Sequence, residues 1–194
     1  MRTFLFMAHK KKLTKRIVAC DPGKNGGIVL LSPSNHTVYY SAMPADLNNV
    51  IKFFNIVDKP KRAVYWYEYL TFAQQARGKD GEVLRFSNPR AMGVLGRNSG
   101  HIEGIARAKG FDVKSVIPQQ WMHEIGAHNA GISYLDKTAW KNNLKSIAIE
   151  EFPNAKVTLK IADALLIALY AYRVEMNDTS ASLRDWACVK VLFD

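Results

Sequence analysis

Hydrophobic positions change their period several times along the chain, and each change marks an element. Ile17 to Asp21, Gly27 to Leu31 and Thr37 to Ala42 are short apolar, β-prone runs, separated by the turn-forming stretches 22–26 and 32–35. They predict a three-strand antiparallel meander. From Ala45 to Ile56 the apolar residues Leu47, Val50, Ile51 and Phe54 fall on one helical face, and Ala63 to Glu68 then reads as a fourth strand. Ala73 to Asn88 is polar and glycine-containing and reads as a mobile basic loop. A helix over Pro89 to Lys109 follows, then a fifth strand from Phe111 to Ile117, stopped by Pro118. Asp136 to Phe152 predicts an amphipathic helix with Trp140, Leu144, Ile147 and Ala148 toward a core. The helix over Ile161 to Arg173 is apolar nearly all round, and in the tail from Met176 to Asp194 only Ala187 to Phe193 resembles a strand.

Two helices carry additional patterns. In the first, Gly96, Gly100, Gly104 and Ala108 recur every fourth residue, forming a smooth stripe. Each glycine costs about 1 kcal/mol of helix stability, so close backbone approach must compensate. Packing within the chain is the first expectation and a subunit interface the second. In the second, Lys137, Lys141 and Lys145 step by four along one side, as a solvated face or a row aimed at phosphates.

With 194 residues and 48% hydrophobic content, the chain can fill one sizeable core, which predicts a single domain. The net charge of +10 is uneven, because Arg2, Lys10, Lys11, Lys12, Lys15 and Arg16 all precede the first acid, Asp21. Removing those six from 27 basic residues leaves 21 against 17 acidic ones, or +4. Residues 1–15 therefore read as a basic arm suited to a phosphate backbone, an anionic membrane surface or targeting, or else as a solvated tail. No run approaches the roughly 18 apolar residues of a membrane span, and Phe4 to Met7 is too short for a secretory core. A soluble, intracellular protein is expected. Two cysteines, Cys20 and Cys188, make no disulfide framework. His123-Glu-Ile-Gly-Ala-His128 misses zinc-protease spacing by one residue.

Three acids stand out by their surroundings. Asp21 ends Ile17-Val-Ala-Cys20, Glu68 ends Val64-Tyr-Trp-Tyr67, and Asp163 lies inside Leu159-Lys-Ile-Ala-Asp-Ala-Leu-Leu-Ile167. Burying such carboxylates as ions is costly unless each has a partner, and three converging ones are most simply reconciled by a shared divalent metal. Side chains alternate along a strand, so Ile17, Ala19 and Asp21 share one face, as do Val64, Trp66 and Glu68. If the two strands are neighbours, both carboxylates meet at one sheet edge, where Gly26-Gly27 leaves space. Singly, each acid has an ordinary reading: a turn residue, a strand-end charge, or a first-turn residue favoured by the helix dipole.

Together the motifs Ile-Val-Ala-Cys-Asp21-Pro-Gly-Lys-Asn-Gly-Gly27, Val-Tyr-Trp-Tyr-Glu68 and Ile-Ala-Asp163-Ala-Leu-Leu-Ile-Ala168 resemble the RuvC-type Holliday-junction resolvases of the ribonuclease H-like superfamily. The likeness continues through Gly104 to Lys114 and on to Pro118-Gln-Gln-Trp121, covering most of residues 16–173, and its flavour is that of divergent phage, viral or organellar members. It implies an α/β fold with a five-stranded mixed sheet flanked by helices, a nuclease domain over 16–175 and an extension over 176–194. It also implies a homodimer acting on four-way junction DNA, in a phage, viral or bacterial cytoplasmic setting or an organelle. Asp21, Glu68 and Asp163 resemble the metal ligands for Mg²⁺, with Mn²⁺ substituting. Lys137 resembles the basic residue aimed at the scissile phosphate, and Phe72 the aromatic that wedges against bases.

Lys160 departs from the pattern, since relatives place a fourth acidic or histidine ligand about one turn before the last acid. A loosely held second metal, phosphate neutralisation by Lys160, or weakened catalysis would each follow, with Thr158 and His128 as fallback ligands. The resemblance implies two-metal hydrolysis leaving a 5′ phosphate and a 3′ hydroxyl. Arg77, Lys79, Arg85, Arg90, Lys141 and Lys145 would hold the junction arms through phosphates. Rival readings are another nuclease on the same fold, cutting flaps, forks or RNA–DNA hybrids, and a catalytically silent junction-binding protein.

Overall fold

The computed structural model describes residues 15–69, 75–77, 83–86, 88–127 and 137–193, and for 75–77, 83–86 and Lys137 it describes the backbone alone. Strands β1 (Arg16–Asp21), β2 (Gly27–Ser32) and β3 (Thr37–Ala42) form the expected antiparallel meander. Helix α1 (Leu47–Phe54) is capped by the Asp46 carboxylate, which accepts from the Asn48 N–H at 3.0 Å. Strand β4 (Ala63–Glu68) then pairs parallel with β1 on its free side.

Strands β5 (Gln75–Arg77) and β6 (Val83–Phe86) form a separate antiparallel hairpin with an irregularity at Ala76/Arg77. The stretch expected to be a mobile loop is thus partly built, because its apolar run 83–86 finds a partner strand eight residues upstream. Helix α2 (Pro89–Ala108) leads to β7 (Asp112–Val116), which lies parallel to β4. Helices α3 (Pro118–Glu124), α4 (Lys137–Glu151) and α5 (Ala162–Met176) follow. Strand β8 (Ala187–Lys190) closes the sheet parallel to β3.

The main sheet is therefore six-stranded, in the order β7-β4-β1-β2-β3-β8, where five strands were expected. The sixth comes from the tail, whose exposed, weakly apolar residues gave a faint signal because an edge strand is held by backbone hydrogen bonds more than by burial. Alternation along β1 sends Ile17 and Ala19 to the face covered by α3, α4 and α5, and Val18 and Cys20 to the face covered by α1 and α2. The two coverings differ. Helix α5 is buried from Ala162 through Leu169, whereas only Ile102 and Ala106 of α2 are buried. Cβ atoms placed on Gly100 and Gly104 would meet nothing within 4 Å, so the expected intrachain packing of the glycine stripe is absent among the described residues.

Candidate active site

The parallel register of β1 and β4 runs from Arg16 opposite Ala63 to Cys20 opposite Tyr67. One step further, Asp21 and Glu68 end the two strands side by side, on the face toward α5. The turn after Asp21 is tight: the Gly26 N–H bonds the Gly23 carbonyl at 2.8 Å, and the Gly23 N–H donates to Asp21 Oδ1 at 3.2 Å. A Cβ on Gly26 would fall 2.2 Å from the Asp21 carbonyl oxygen and 2.7 Å from its Cγ, so only glycine lets the chain fold over this carboxylate. A Cβ on Gly27 would lie 3.1 Å from Ile161 Cα. The start of α5 thus presses directly on the start of β2, and Asp163, two residues on, arrives at the same end of the sheet.

Asp163 is 6% exposed, inside the apolar first turn of α5. Its Oδ2 accepts from Lys141 Nζ at 2.5 Å, while its Oδ1 is buried with no hydrogen-bond partner among the described residues. Glu68 Oε2 accepts from the indole N–H of the fully buried Trp121 at 3.3 Å. Burial pushes the Glu68 carboxyl up to about 8, assisted by the charges of Asp21 and Asp163 against the Trp121 hydrogen bond and the Lys141 charge. Asp21 is raised for the same first reason, then by Asp163, with the Gly23 hydrogen bond and Lys141 opposing. At Lys141 partial burial works against the charged form, yet the charge and hydrogen bond of Asp163, followed by Asp21 and Glu68, outweigh it and raise the pKa.

The result is three carboxylates facing one ammonium at the rim of an apolar sheet. Among the described residues no three acidic, histidine or cysteine side chains close on one point tightly enough to grip an ion. The donor chemistry nevertheless fits a hard divalent cation: carboxylate oxygens only, mutually repelling, with Asp163 Oδ1 left unsatisfied in the interior.

The other sequence candidates distribute differently. Lys160 is exposed in the turn before α5, and the cation that pairs with Asp163 is Lys141. Lys145 is half-buried one turn further along α4, and Thr158 is exposed. Lys137 starts α4 and Arg77 and Arg85 lie in the hairpin, where only the backbone is described; Phe72, Lys79, His128 and residues 1–14 lie outside the described residues. Arg90 lines an open cleft of about 440 Å³ with Lys24, Val94, Leu95 and Asn98, next to the turn that holds Asp21.

Three contributions exceed the sequence reading. Trp121 orients Glu68, Lys141 joins the acids, and Lys24 lines the cleft beside them. The sequence reads Lys141 as part of a phosphate-facing row, without its acidic partner, and Trp121 only as the end of the motif Pro118-Gln-Gln-Trp121. No residue of the chain forms a described membrane-length apolar helix.

No protein-family model matches the chain, and no curated protein matches it. Among solved structures, Thermus thermophilus RuvC in complex with Holliday junction substrate is similar over 87% of this chain and 99% of that chain, with 15% identity and a TM-score of 0.50. A second T. thermophilus RuvC structure covers 84% of this chain and 96% of that one, at 16% identity and a TM-score of 0.48. The first of these likenesses is one of fold: over 87% of its length the chain shares the RuvC-like, ribonuclease H-like architecture.

Proposed function

We propose that this protein is a metal-dependent endonuclease that resolves four-way DNA junctions, cutting phosphodiester bonds to leave 5′-phosphate and 3′-hydroxyl ends. The observation that carries this reading is the meeting of Asp21, Glu68 and Asp163 at one end of a RuvC-like sheet. Nothing in folding rewards one buried and two half-buried carboxylates that repel each other, whereas phosphodiester hydrolysis needs such a donor set. The solved relative holds a Holliday junction, which favours that substrate over flaps or hybrids.

Asp21, Glu68 and Asp163 would hold Mg²⁺ or Mn²⁺, which when bound polarises the scissile phosphate and eases removal of a proton from the attacking water. The chain's own part is positional. Gly26 and the Gly23 N–H fix Asp21, the Trp121 indole turns Glu68 toward the site, and the contact of Ile161 with Gly27 seats Asp163. Lys24 and Arg90 in the adjoining cleft, with Lys137, Lys145 and the basic residues of the hairpin segment, would contact DNA phosphates, giving salt-sensitive affinity with little sequence information. The basic arm, residues 1–15, would add to this charge ahead of the 16–175 nuclease domain.

Paired cutting requires two active sites, and α2 is the face we assign to a second copy. It carries four glycines at a helix-stability cost of about 1 kcal/mol each, and neither Gly100 nor Gly104 is approached from within the described chain. Gly100→Leu with Gly104→Leu should yield a folded monomer by sedimentation; an unchanged dimer would move the interface elsewhere.

The decisive experiment is cleavage of a labelled four-way junction beside linear duplex, flap and RNA–DNA hybrid of matched sequence, with Mg²⁺ or EDTA. Paired symmetric nicks on the junction that need Mg²⁺ support resolution. Equal cutting of every substrate makes the protein a general nuclease, and tight junction binding without cutting makes it a silent binder.

A further inference from the structure

Among the described side chains of α4, Lys141 is the lysine that has an acidic partner inside the site. Its Nζ reaches Asp163 Oδ2 at 2.5 Å, from a side chain that remains 47% exposed. It supplies half of what the carboxylate needs, since the second oxygen stays buried and unpartnered. An ammonium here does electrostatically what a metal ion would do: it offsets part of the repulsion among Asp21, Glu68 and Asp163.

We propose that Lys141 is a built-in counter-ion that competes with divalent metal for Asp163, holding the carboxylate while the site is metal-free and withdrawing toward solvent when metal binds. The inference rests on the reading that the three acids hold a divalent cation. Three features of the geometry carry it. An ammonium in contact with Asp163 and a divalent cation on the same carboxylate would repel strongly at such short range in a partly dry site. The lysine has an exit, because its stem is flexible and its exposure gives the charge a route to water without moving α4. The two helices also pack on each other, with Leu144 and Ala148 of α4 in the same core as Leu165 and Ala168 of α5, so the pair re-forms when metal leaves.

The consequence is a set threshold for metal occupancy. Divalent cation must outcompete an ammonium that the fold supplies at high local concentration, so the wild-type affinity is weaker than the donor set alone would give. In exchange, the chain folds before metal arrives with the buried Asp163 charge already offset.

The test is calorimetric titration of Mn²⁺ into the full-length protein without DNA, with thermal unfolding in chelator alongside. Lys141→Met keeps the stem and removes the charge. It should bind Mn²⁺ at least about tenfold more tightly than wild type and unfold at lower temperature in chelator, with Mn²⁺ restoring the loss. Lys141→Arg, which keeps the charge, should bind no more tightly than wild type, and Lys52→Met on the exposed side of α1 should match it. Should Lys141→Met fold only with metal present, its affinity is read by chelator competition from the Mn²⁺ form. Wild-type binding that Asp21→Asn removes, with equal or weaker binding by Lys141→Met, overturns this inference alone. Absence of Mn²⁺ binding to wild type overturns it together with the metal-dependent reading of the site.

Discussion

The two ends of strand β1 hold charges of similar kinds in opposite arrangements. At its beginning, Arg16 pairs with Asp58 and also donates to the Ile56 carbonyl, while Lys15 pairs with Asp112 at 3.2 Å and Glu175 at 3.7 Å. Cations there meet anions, and Asp58 and Asp112 are more than half exposed. About 17 Å away, at the other end, Asp21 joins Glu68 and Asp163 around the Lys141 ammonium, and among the described residues Asp163 Oδ1 has no hydrogen-bond partner. The first arrangement is explained by pairing, since even the 10% exposed Glu175 accepts from Lys114 and the Trp66 indole as well as facing Lys15. The second is a cost that the rest of the core carries. Charge balance and burial together, more than the number of charged residues, separate a structural end of the sheet from the candidate functional one.

The strongest way to break the comparison is at the acid end. Asp163→Asn keeps the shape of the side chain and removes its charge; it should lower junction cleavage by on the order of a thousandfold while leaving junction binding in place. Loss of binding as well would mean that the acids organise the fold, and the two ends would then differ only in degree.

The pH dependence of stability gives the next largest contrast. Glu68 is raised to about 8 from its ordinary 4.5, first by burial and then by its acidic neighbours. The folded chain thus keeps a proton that the unfolded chain has released, so the contribution of Glu68 to metal-free stability is greatest below about 4.5 and declines as pH rises to about 8. Thermal unfolding in chelator between about pH 5 and about pH 9 should show this fall, and Glu68→Gln should flatten it. A profile indifferent to Glu68→Gln would mean that the acid end is solvated like the basic end.

Trp121→Phe should have a smaller effect. Loss of the indole donor to Glu68 should cost about 1 to 2 kcal/mol in stability and slow cleavage through a misplaced carboxylate, measured by chemical denaturation and single-turnover rates. Smallest of all should be the coupling between Arg16 and Asp58, which a double-mutant cycle to alanine should place within about 1 kcal/mol. A coupling several times larger would erase the distinction between the ends.

Much of this was legible along the chain. Period-two alternation put Asp21 in phase with Ile17 and Ala19, and Glu68 in phase with Val64 and Trp66, and the sheet keeps both phases on the α5 face. The adjacent glycines announced a close approach, which Gly26 and Gly27 both make. The pairing of 75–77 with 83–86 was missed because a three-residue strand of mixed composition carries no clear period, whereas β8 lies inside the stretch Ala187 to Phe193 that resembled a strand, its signal faint because an edge strand hides few side chains. The glycine stripe of α2 was seen, but the intrachain packing expected first is not made at Gly100 or Gly104, since spacing reveals a smooth face and says nothing of what lies against it.

The sequence by itself determined the alternating strands, the apolar final helix and the three acids that burial alone does not explain. These are local facts, set by periodicity and by the cost of placing charge among hydrophobic neighbours. Only the tertiary structure decided that Lys141, and not Lys160, meets Asp163, and that Trp121 steadies Glu68. Those pairings join residues 22 and 53 positions apart. They depend on how α3, α4 and α5 settle on one sheet face, a packing outcome that no local pattern encodes.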